Sequence, residues 1–186
     1  MPNTFILSQL ILFVGLIVCV IIRPAGLNAN DGISYYGTYY QTLLPYVIAL
    51  TGSAMVGLYA VNKFVINPDF KYVRIIMLAI FLLTVGIVLT PYSYSQLFSD
   101  MHELFGSLTF ILQGVLTIQV VLFVHRDRVN NLLILLELLG GLMSAYYLTP
   151  KQGLLIQGQM LFQLAFGLIL IRSSQHLSKV PEKIKT

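Results

Sequence analysis

Six long apolar runs constrain the fold of this chain more than any other feature. Each run is about as long as the roughly 20 residues that a helix needs to cross the hydrocarbon core of a bilayer. Backbone polar groups in lipid must be hydrogen-bonded internally, and the runs lack the polar–apolar alternation of barrel strands. The sequence therefore predicts an all-α polytopic membrane protein, a six-transmembrane-helix bundle. The predicted helices comprise residues 5–22, 43–62, 73–90, 104–124, 131–148 and 153–172.

The composition excludes the main classes of soluble protein. The 186 residues are 57% hydrophobic and 10% charged, whereas a soluble domain is roughly 45–50% apolar and about 25% charged. The single cysteine, Cys19, cannot form an intrachain disulfide. A cytosolic enzyme, an intrinsically disordered chain and a disulfide-stapled secreted domain are all excluded, and no nucleic-acid partner is expected.

The basic residues predict the orientation of the chain in the membrane. If the N-terminus is inside, only Arg23 and Lys151 of the eleven lysine and arginine residues lie on the outer side. Cytoplasmic segments carry an excess of these residues, so both termini are predicted to be cytoplasmic. We expect one transmembrane domain over residues 1–186, with a basic cytoplasmic tail at 173–186, in a plasma or inner membrane.

Most of the tyrosines fall on the predicted outer side. Nine of the eleven do so, and Tyr35, Tyr39 and Tyr92 are among them. The ordinary explanation is an interfacial belt, in which the rings lie at the level of the headgroups. The alternative is a cluster that binds a ligand, for which Tyr35, Tyr39, Tyr92 and Ser34 are the candidate residues.

Glu137 is the clear case of an ionisable residue inside a predicted span. Gly140 and Gly141 share its helix face, so the carboxyl group is expected to point into the bundle rather than at lipid. By depth in the membrane, its expected partners are Gln119 and Gln163, and desolvation should keep it protonated. Three roles remain open: an interhelical hydrogen bond, a proton relay or ion site, and contact with a polar ligand or partner subunit.

A short polar segment before the fourth predicted helix holds a second candidate site. Asp100, His102 and Glu103 cluster there. Acidic residues stabilise a helix N-terminus, and Ser99 or Asp100 is a plausible N-cap. The alternative is a catalytic site in which Asp100, His102 and Glu103 perform acid–base chemistry on a lipid. The outer face has one histidine and a zinc site needs three or four ligands, so no metal or cofactor is predicted.

Two short motifs resemble those of a known group. The first outer loop contains Asp31-Gly-Ile-Ser-Tyr-Tyr-Gly37, and a histidine motif, His102-Glu-Leu-Phe-Gly106, opens the fourth helix. With the six-helix layout, they resemble the membrane proteins of the DUF998 and DRAM/Frag-like kind, in which the last residue of the histidine motif is often Ala. The resemblance implies the six-helix fold and an outer face centred on Ser34, Gly37 and His102. It implies no reaction.

Three functions are compatible with these features. The sequence favours a non-enzymatic integral membrane protein, either a subunit of a homo-oligomer or larger membrane complex or a lipid-interacting accessory protein. This preference rests on the lack of a phosphate-binding loop, a metal cluster and a charged permeation path in the sequence. The alternatives are a lipid-active enzyme that uses Asp100 and His102, and a small proton-coupled transporter that uses Glu137. Membrane lipids are the expected partners.

Overall fold

A computed structural model describes residues 2–29, 31–64, 71–147 and 155–179, without the side chains of residues 64, 71, 146 and 147. Within these ranges the regular elements are helices. Two 3₁₀ helices, Pro24–Asn28 and Gly32–Thr38, follow the first long helix, and a π-helical turn, Ile48–Gly52, interrupts the second span. The α-helices are α1 (Pro2–Ile22), α2 (Tyr40–Val47), α3 (Ser53–Phe64), α4 (Lys71–Leu89), α5 (Gln96–Phe123), α6 (Arg128–Tyr147) and α7 (Leu155–Lys179).

Within the described ranges, six helical segments are long and apolar enough to cross a membrane, and α2, the π turn and α3 together form one of them. The predicted all-α six-helix architecture is confirmed, and the chain is a multi-pass membrane protein. Only 22% to 50% of each apolar window is buried inside the bundle. The remaining apolar surface is far larger than a soluble protein exposes, and lipid tails are its natural solvent. The most buried window belongs to α7.

The fifth helix begins earlier than predicted. α5 begins at Gln96 rather than at residue 104, and Ser95 is its N-cap, with its hydroxyl accepting a backbone N–H of the first turn at 3.3 Å. The prediction that Ser99 or Asp100 caps this helix was therefore wrong. Hydropathy could not detect the start because the first two turns of α5 are polar and project beyond the apolar span.

The last helix also extends beyond its predicted end. α7 continues to Lys179, so the predicted tail of residues 173–186 begins as helix. Residues 180–186 lie outside the described part of the chain, as do Lys151 and the other residues of 148–154. The extension of α7 matters because it carries His176 to the inner end of the bundle.

Two hydrophobic cores divide the bundle between its ends. We call the end predicted to face the cytoplasm the inner end and the opposite one the outer end. The inner core contains Phe5, Val61 and Leu116, and the outer core contains Leu16 and Tyr46. α7 contributes to both cores, so it runs through the middle of the molecule.

Close helix approaches depend on glycine at two places. A Cβ atom at Gly15 of α1 would lie 2.6 Å from the Cβ of Ala49 in the π turn. A Cβ atom at Gly140 of α6 would lie 2.5 Å from the Phe162 backbone nitrogen and 2.8 Å from the Gly158 oxygen of α7. Small residues of this kind let membrane helices pack backbone to backbone.

Candidate functional site

The segment after α1 folds over the outer end of the bundle. We call residues 23–29 and 31–39 the outer cap. Within the cap, Tyr36 is fully buried. Its ring packs so closely on Gly26 that a Cβ atom on Gly26 would lie 2.5 Å from the ring. The Thr42 hydroxyl, at the start of α2, donates to the Tyr36 carbonyl at 2.7 Å. The cap is therefore a packed structure rather than an open loop.

The first turns of α7 hold the cap in place. The Gln159 side-chain oxygen accepts the Ile33 N–H at 2.7 Å, and the Gln157 amide donates to the Leu27 carbonyl at 3.2 Å. Gly32 has a positive φ of 59° and lies against the Gln159 amide, where a Cβ atom would collide with it. Glycine meets both conditions because it has no Cβ.

His102 of α5 joins the cap to the bundle through both ring nitrogens. Its Nε2 atom lies 2.6 Å from the Ser34 hydroxyl oxygen. Its Nδ1 atom lies 2.8 Å from the Thr90 carbonyl oxygen and 3.1 Å from that of Ile87. Carbonyl oxygens only accept hydrogen bonds, so Nδ1 carries the hydrogen. In the neutral ring, Nε2 is then the acceptor, and the Ser34 hydroxyl donates to it.

Aromatic rings surround this pair. The Tyr92 ring meets the His102 ring edge-on, with centroids 5.8 Å apart. The buried Tyr46 side chain lies near the Ser34 side chain. Burial raises the pKa of Tyr92, and its hydrogen bond to the Asp31 carboxylate raises it further. Ser34 is half-buried and His102 is 8% exposed, so the serine is the more accessible partner.

Arg23, the first residue after α1, is held by two tyrosines. Its Nε donates to the Tyr35 hydroxyl at 3.0 Å, and its guanidinium carbon lies 3.4 Å from the centroid of the Tyr39 ring. The hydrogen bond to Tyr35 raises the pKa of Arg23, which is cationic in any case. Among the described residues, no carboxylate lies within 4.0 Å of its side-chain nitrogens. The cap thus carries a fixed positive charge without an anionic partner in this part of the chain.

The structure brings some of the predicted site residues together and separates others. The residues that meet in or beside the outer cap are Ser34, Tyr35, Tyr39, Tyr92 and His102. Asp100 and Glu103 are exposed on α5, and Asp100 accepts a hydrogen bond from the Gln96 amide at 2.8 Å. The predicted catalytic group of Asp100, His102 and Glu103 is therefore not assembled, because the α5 helix turns the acidic side chains away from the histidine. In the described ranges no three His, Cys, Asp or Glu residues are grouped to hold a metal ion.

Two polar pairs lie inside the membrane-spanning bundle. Glu137 of α6 is 2% exposed and points into the bundle, as predicted, where the Thr117 hydroxyl donates to it at 3.1 Å. Gln113 and Gln163 form reciprocal amide hydrogen bonds of 2.9 and 3.3 Å. The predicted network of Glu137, Gln119 and Gln163 was wrong in its members. Gln119 is half-buried and joins neither pair, since it is two positions from Thr117 and faces another side of α5.

The inner end contains a second polar cluster, of which the sequence indicated only that His125 and His176 lie on the same side and could meet. We call His125, Asp127, Asn130, Arg172 and His176 the inner clasp. The Asp127 carboxylate accepts Arg172 Nη2 at 2.6 Å and the Asn130 backbone N–H at 2.7 Å. The Asn130 side chain accepts Arg172 Nε at 3.0 Å and donates to the His125 carbonyl at 2.6 Å. The His125 and His176 rings stack with centroids 4.2 Å apart.

The inner clasp shifts two pKa values in physically simple ways. The Asn130 backbone N–H, followed by the Arg172 charge, lowers the pKa of Asp127. Burial, followed by the neighbouring His176, lowers the pKa of His125. Both shifts favour an anionic Asp127 carboxylate and a neutral His125 imidazole at neutral pH.

Comparison with known proteins leaves the function to be argued from this geometry. No protein-family model, curated protein or solved structure matches the chain. The resemblance to the DUF998 and DRAM/Frag-like proteins therefore stays a prediction from the sequence. The outer cap is the best candidate functional site, because it gathers five of the seven site residues predicted on the outer side around a half-buried serine and a fixed cation.

Proposed function

We propose that this chain is a lipid-interacting protein of a plasma or inner membrane that binds a phospholipid headgroup at its outer cap. The observation that carries the proposal is the arrangement of Arg23, which is stacked on Tyr39 and hydrogen-bonded to Tyr35. Arginine is the side chain best suited to phosphate, because its planar group donates two parallel hydrogen bonds to phosphate oxygens.

The tyrosines prepare Arg23 for such a ligand. Arg23 Nε donates its hydrogen to the Tyr35 hydroxyl. Among the described residues, no carboxylate forms an ion pair with the two terminal nitrogens of Arg23. The Tyr39 ring holds the guanidinium in one plane, so less side-chain freedom is lost when a phosphate binds. The result is a cationic group with a fixed orientation.

The position of Arg23 in the chain suits a headgroup ligand. It directly follows Ile22, the last residue of the α1 span, so it lies where the hydrocarbon core gives way to headgroups. Ile21, Leu27 and Tyr40 are exposed nearby in sequence and offer apolar surface to acyl chains. Exposed apolar faces alone suit a partner subunit equally well, which is why the proposal rests on the charge.

The test is phospholipid binding by the full-length protein in nanodiscs or by native mass spectrometry. We expect phosphatidylglycerol to bind in preference to uncharged diacylglycerol. Arg23→Gln should weaken phosphatidylglycerol binding by at least about tenfold, because a hydrogen bond to a charged group contributes about 1.5–3 kcal/mol. Tyr39→Leu should weaken it a few-fold by removing a cation–π contact of about 0.5–2 kcal/mol.

Arg126→Gln is the matched control. Arg126 is an exposed arginine in the loop at the inner end, so its loss changes the net charge equally and leaves the cap intact. Equal lipid binding by the Arg23→Gln and Arg126→Gln variants would refute the proposal. The transporter hypothesis for Glu137 stays a prediction from the sequence.

A further inference from the structure

We infer that Ser34 and His102 form a nucleophile–base pair that transfers acyl groups from ester-linked lipids. The inference rests on the proposed function for its substrate class, whereas the geometry of the pair stands on its own. Sequence reasoning placed a candidate enzyme site here but assigned the wrong partners to His102.

The pair meets the geometric requirements of an activated serine. A nucleophile and its base must lie about 2.6–3.2 Å apart, and a third group must orient the base. The Ser34 oxygen and His102 Nε2 are 2.6 Å apart, and the Thr90 carbonyl orients the ring through Nδ1 at 2.8 Å. A carbonyl takes the orienting place that a carboxylate holds in the serine protease triad, where function is defined by geometry rather than residue type.

The accessibility of the two side chains is consistent with this chemistry. Ser34 is half-buried in the outer cap, so it is the more exposed member of the pair. His102 is 8% exposed and is covered on one side by Tyr92, so the base is shielded from water. A histidine that served only to tether the cap would not need an accessible partner.

The acylation step balances without an oxidant or metal. The Ser34 oxygen attacks the ester carbonyl carbon, and its proton passes to His102 Nε2. The bond from the carbonyl carbon to the lipid alcohol then breaks, and His102 returns the proton to the leaving alkoxide.

Water completes the cycle. His102 Nε2 takes a proton from a water molecule, whose oxygen attacks the acyl carbon. The bond to the Ser34 oxygen breaks, the fatty acid leaves, and the proton returns to Ser34. The products are a fatty acid and the lipid alcohol.

The neighbouring cation indicates the class of ester. Ser34 and Tyr35 are consecutive in one 3₁₀ helix, and Tyr35 bonds to Arg23. In a glycerophospholipid only the glycerol carbons separate the phosphate from the acyl esters. A phosphate on Arg23 would thus bring its own ester groups to the region of Ser34. The substrate class is therefore an acyl ester of a glycerophospholipid.

Covalent labelling tests the pair without requiring lipid binding. The full-length protein in nanodiscs is treated with a fluorophosphonate probe, which labels activated serines, and the labelled residue is located by mass spectrometry. We expect one label, on Ser34, and none in Ser34→Ala. His102→Gln should slow labelling by at least about 100-fold, which is the usual contribution of a general base. Ser93→Ala is the control, because Ser93 is an exposed serine at the same end.

The outcomes separate this inference from the proposed function. If the wild-type protein binds phosphatidylglycerol but Ser34 is not labelled, the acyl-transfer inference fails alone, whatever the stability of the variants. If Ser34 is labelled but Arg23→Gln binds phosphatidylglycerol as well as the wild type does, the proposed function fails alone. Release of fatty acid from phosphatidylglycerol, lost in Ser34→Ala and retained in Ser93→Ala, would support both. Labelling of Ser34 at equal rates in the wild type and in a folded His102→Gln variant would overturn the role of His102.

Discussion

Arg23 and Arg172 lie at opposite ends of the bundle and contact different kinds of partner. Arg172 donates to the Asp127 carboxylate and the Asn130 side chain, so its charge is neutralised within the chain. Among the described residues, the Arg23 guanidinium forms its hydrogen bond and cation–π contacts with tyrosines. The same type of side chain is therefore paired with a carboxylate at the inner end and with tyrosines at the outer end.

α7 connects these two ends and holds each by a different kind of bond. At the outer end, the Gln159 amide holds the cap through a neutral hydrogen bond to Ile33. At the inner end, Arg172 forms charge-assisted hydrogen bonds, which are roughly twice as strong as neutral ones. The bond from α7 to the outer cap is thus the weaker of these two attachments.

The largest effect is expected where α7 packs on α6, because a shift of α7 disturbs both ends together. Gly140→Ala places a Cβ against backbone atoms of Gly158 and Phe162 that cannot rotate away. We expect the free energy of unfolding to fall by about 3 kcal/mol, the upper end of the range for overpacking. Thermal unfolding in detergent measures the loss.

Gly141→Ala is the matched control for this change. Its Cβ would lie 3.5 Å from the Phe162 ring, an ordinary van der Waals contact. We therefore expect almost no change in the unfolding temperature. Equal destabilisation by the two alanines would mean that α6 and α7 do not pack as closely as the structure indicates.

Two substitutions with smaller expected effects compare the hydrogen bonds at the two ends of the bundle. Asn130→Ala leaves the His125 carbonyl and Arg172 Nε without a partner, at a cost of about 2 kcal/mol. Gln159→Ala leaves only the Ile33 N–H without its hydrogen-bond partner, which should lower the free energy of unfolding by about 1 kcal/mol. Hydrogen exchange should rise in the outer cap for Gln159→Ala alone. A greater loss of stability from Gln159→Ala than from Asn130→Ala would reverse the comparison.

The smallest effect is a pH dependence confined to the inner end. Burial lowers the pKa of His125 in the folded protein below its ordinary value of 6.5. The unfolded chain therefore binds this proton more readily, so the stability that His125 contributes is complete above pH 6.5 and is lost as pH falls through that value towards the folded pKa. The pKa of Asp127 is below its ordinary value of 3.8, so its contribution persists to lower pH.

Thermal unfolding between pH 7.5 and 5 measures this dependence. As the pH falls, we expect the unfolding temperature of the wild type to decrease relative to that of His125→Gln. Phospholipid binding at the outer cap should stay constant for Asn130→Ala over the same range. A wild-type profile identical to that of His125→Gln would contradict the assignment.

The sequence predicted the spans because lipid imposes one simple rule on apolar length. It missed the start of α5 because Gln96 to Glu103 read as polar loop, although Ser95 offered an N-cap signal before them. The glycines that share a helix face with Glu137 correctly predicted that it points into the bundle. The sequence predicted Gln119 as its partner, whereas the partner is Thr117. Depth along a helix is easily estimated from sequence, whereas the face that meets a neighbour depends on helix rotation.

The Ser34–His102 contact lay beyond sequence reasoning for a different reason. The two residues are 68 positions apart, and the cap must fold before they meet. The sequence predicted both residues as candidates on the outer side, Ser34 for a ligand and His102 for catalysis, but it carried no information on their contact. The inner clasp was missed because its members are ordinary loop and helix-end residues whose pairing requires α7 to extend beyond its apolar span.

The π turn at Ile48–Gly52 has a consequence for how the second span joins both cores. Tyr46 precedes the turn and packs in the outer core, whereas Val61 follows it and packs in the inner core. One residue of an α-helix corresponds to a rotation of about 100°, and the widened turn absorbs one residue more than a regular turn. If the segment were one residue shorter and Tyr46 stayed in the outer core, Val61 would rotate out of the inner core toward lipid. The π turn therefore lets one helical span place side chains in both cores.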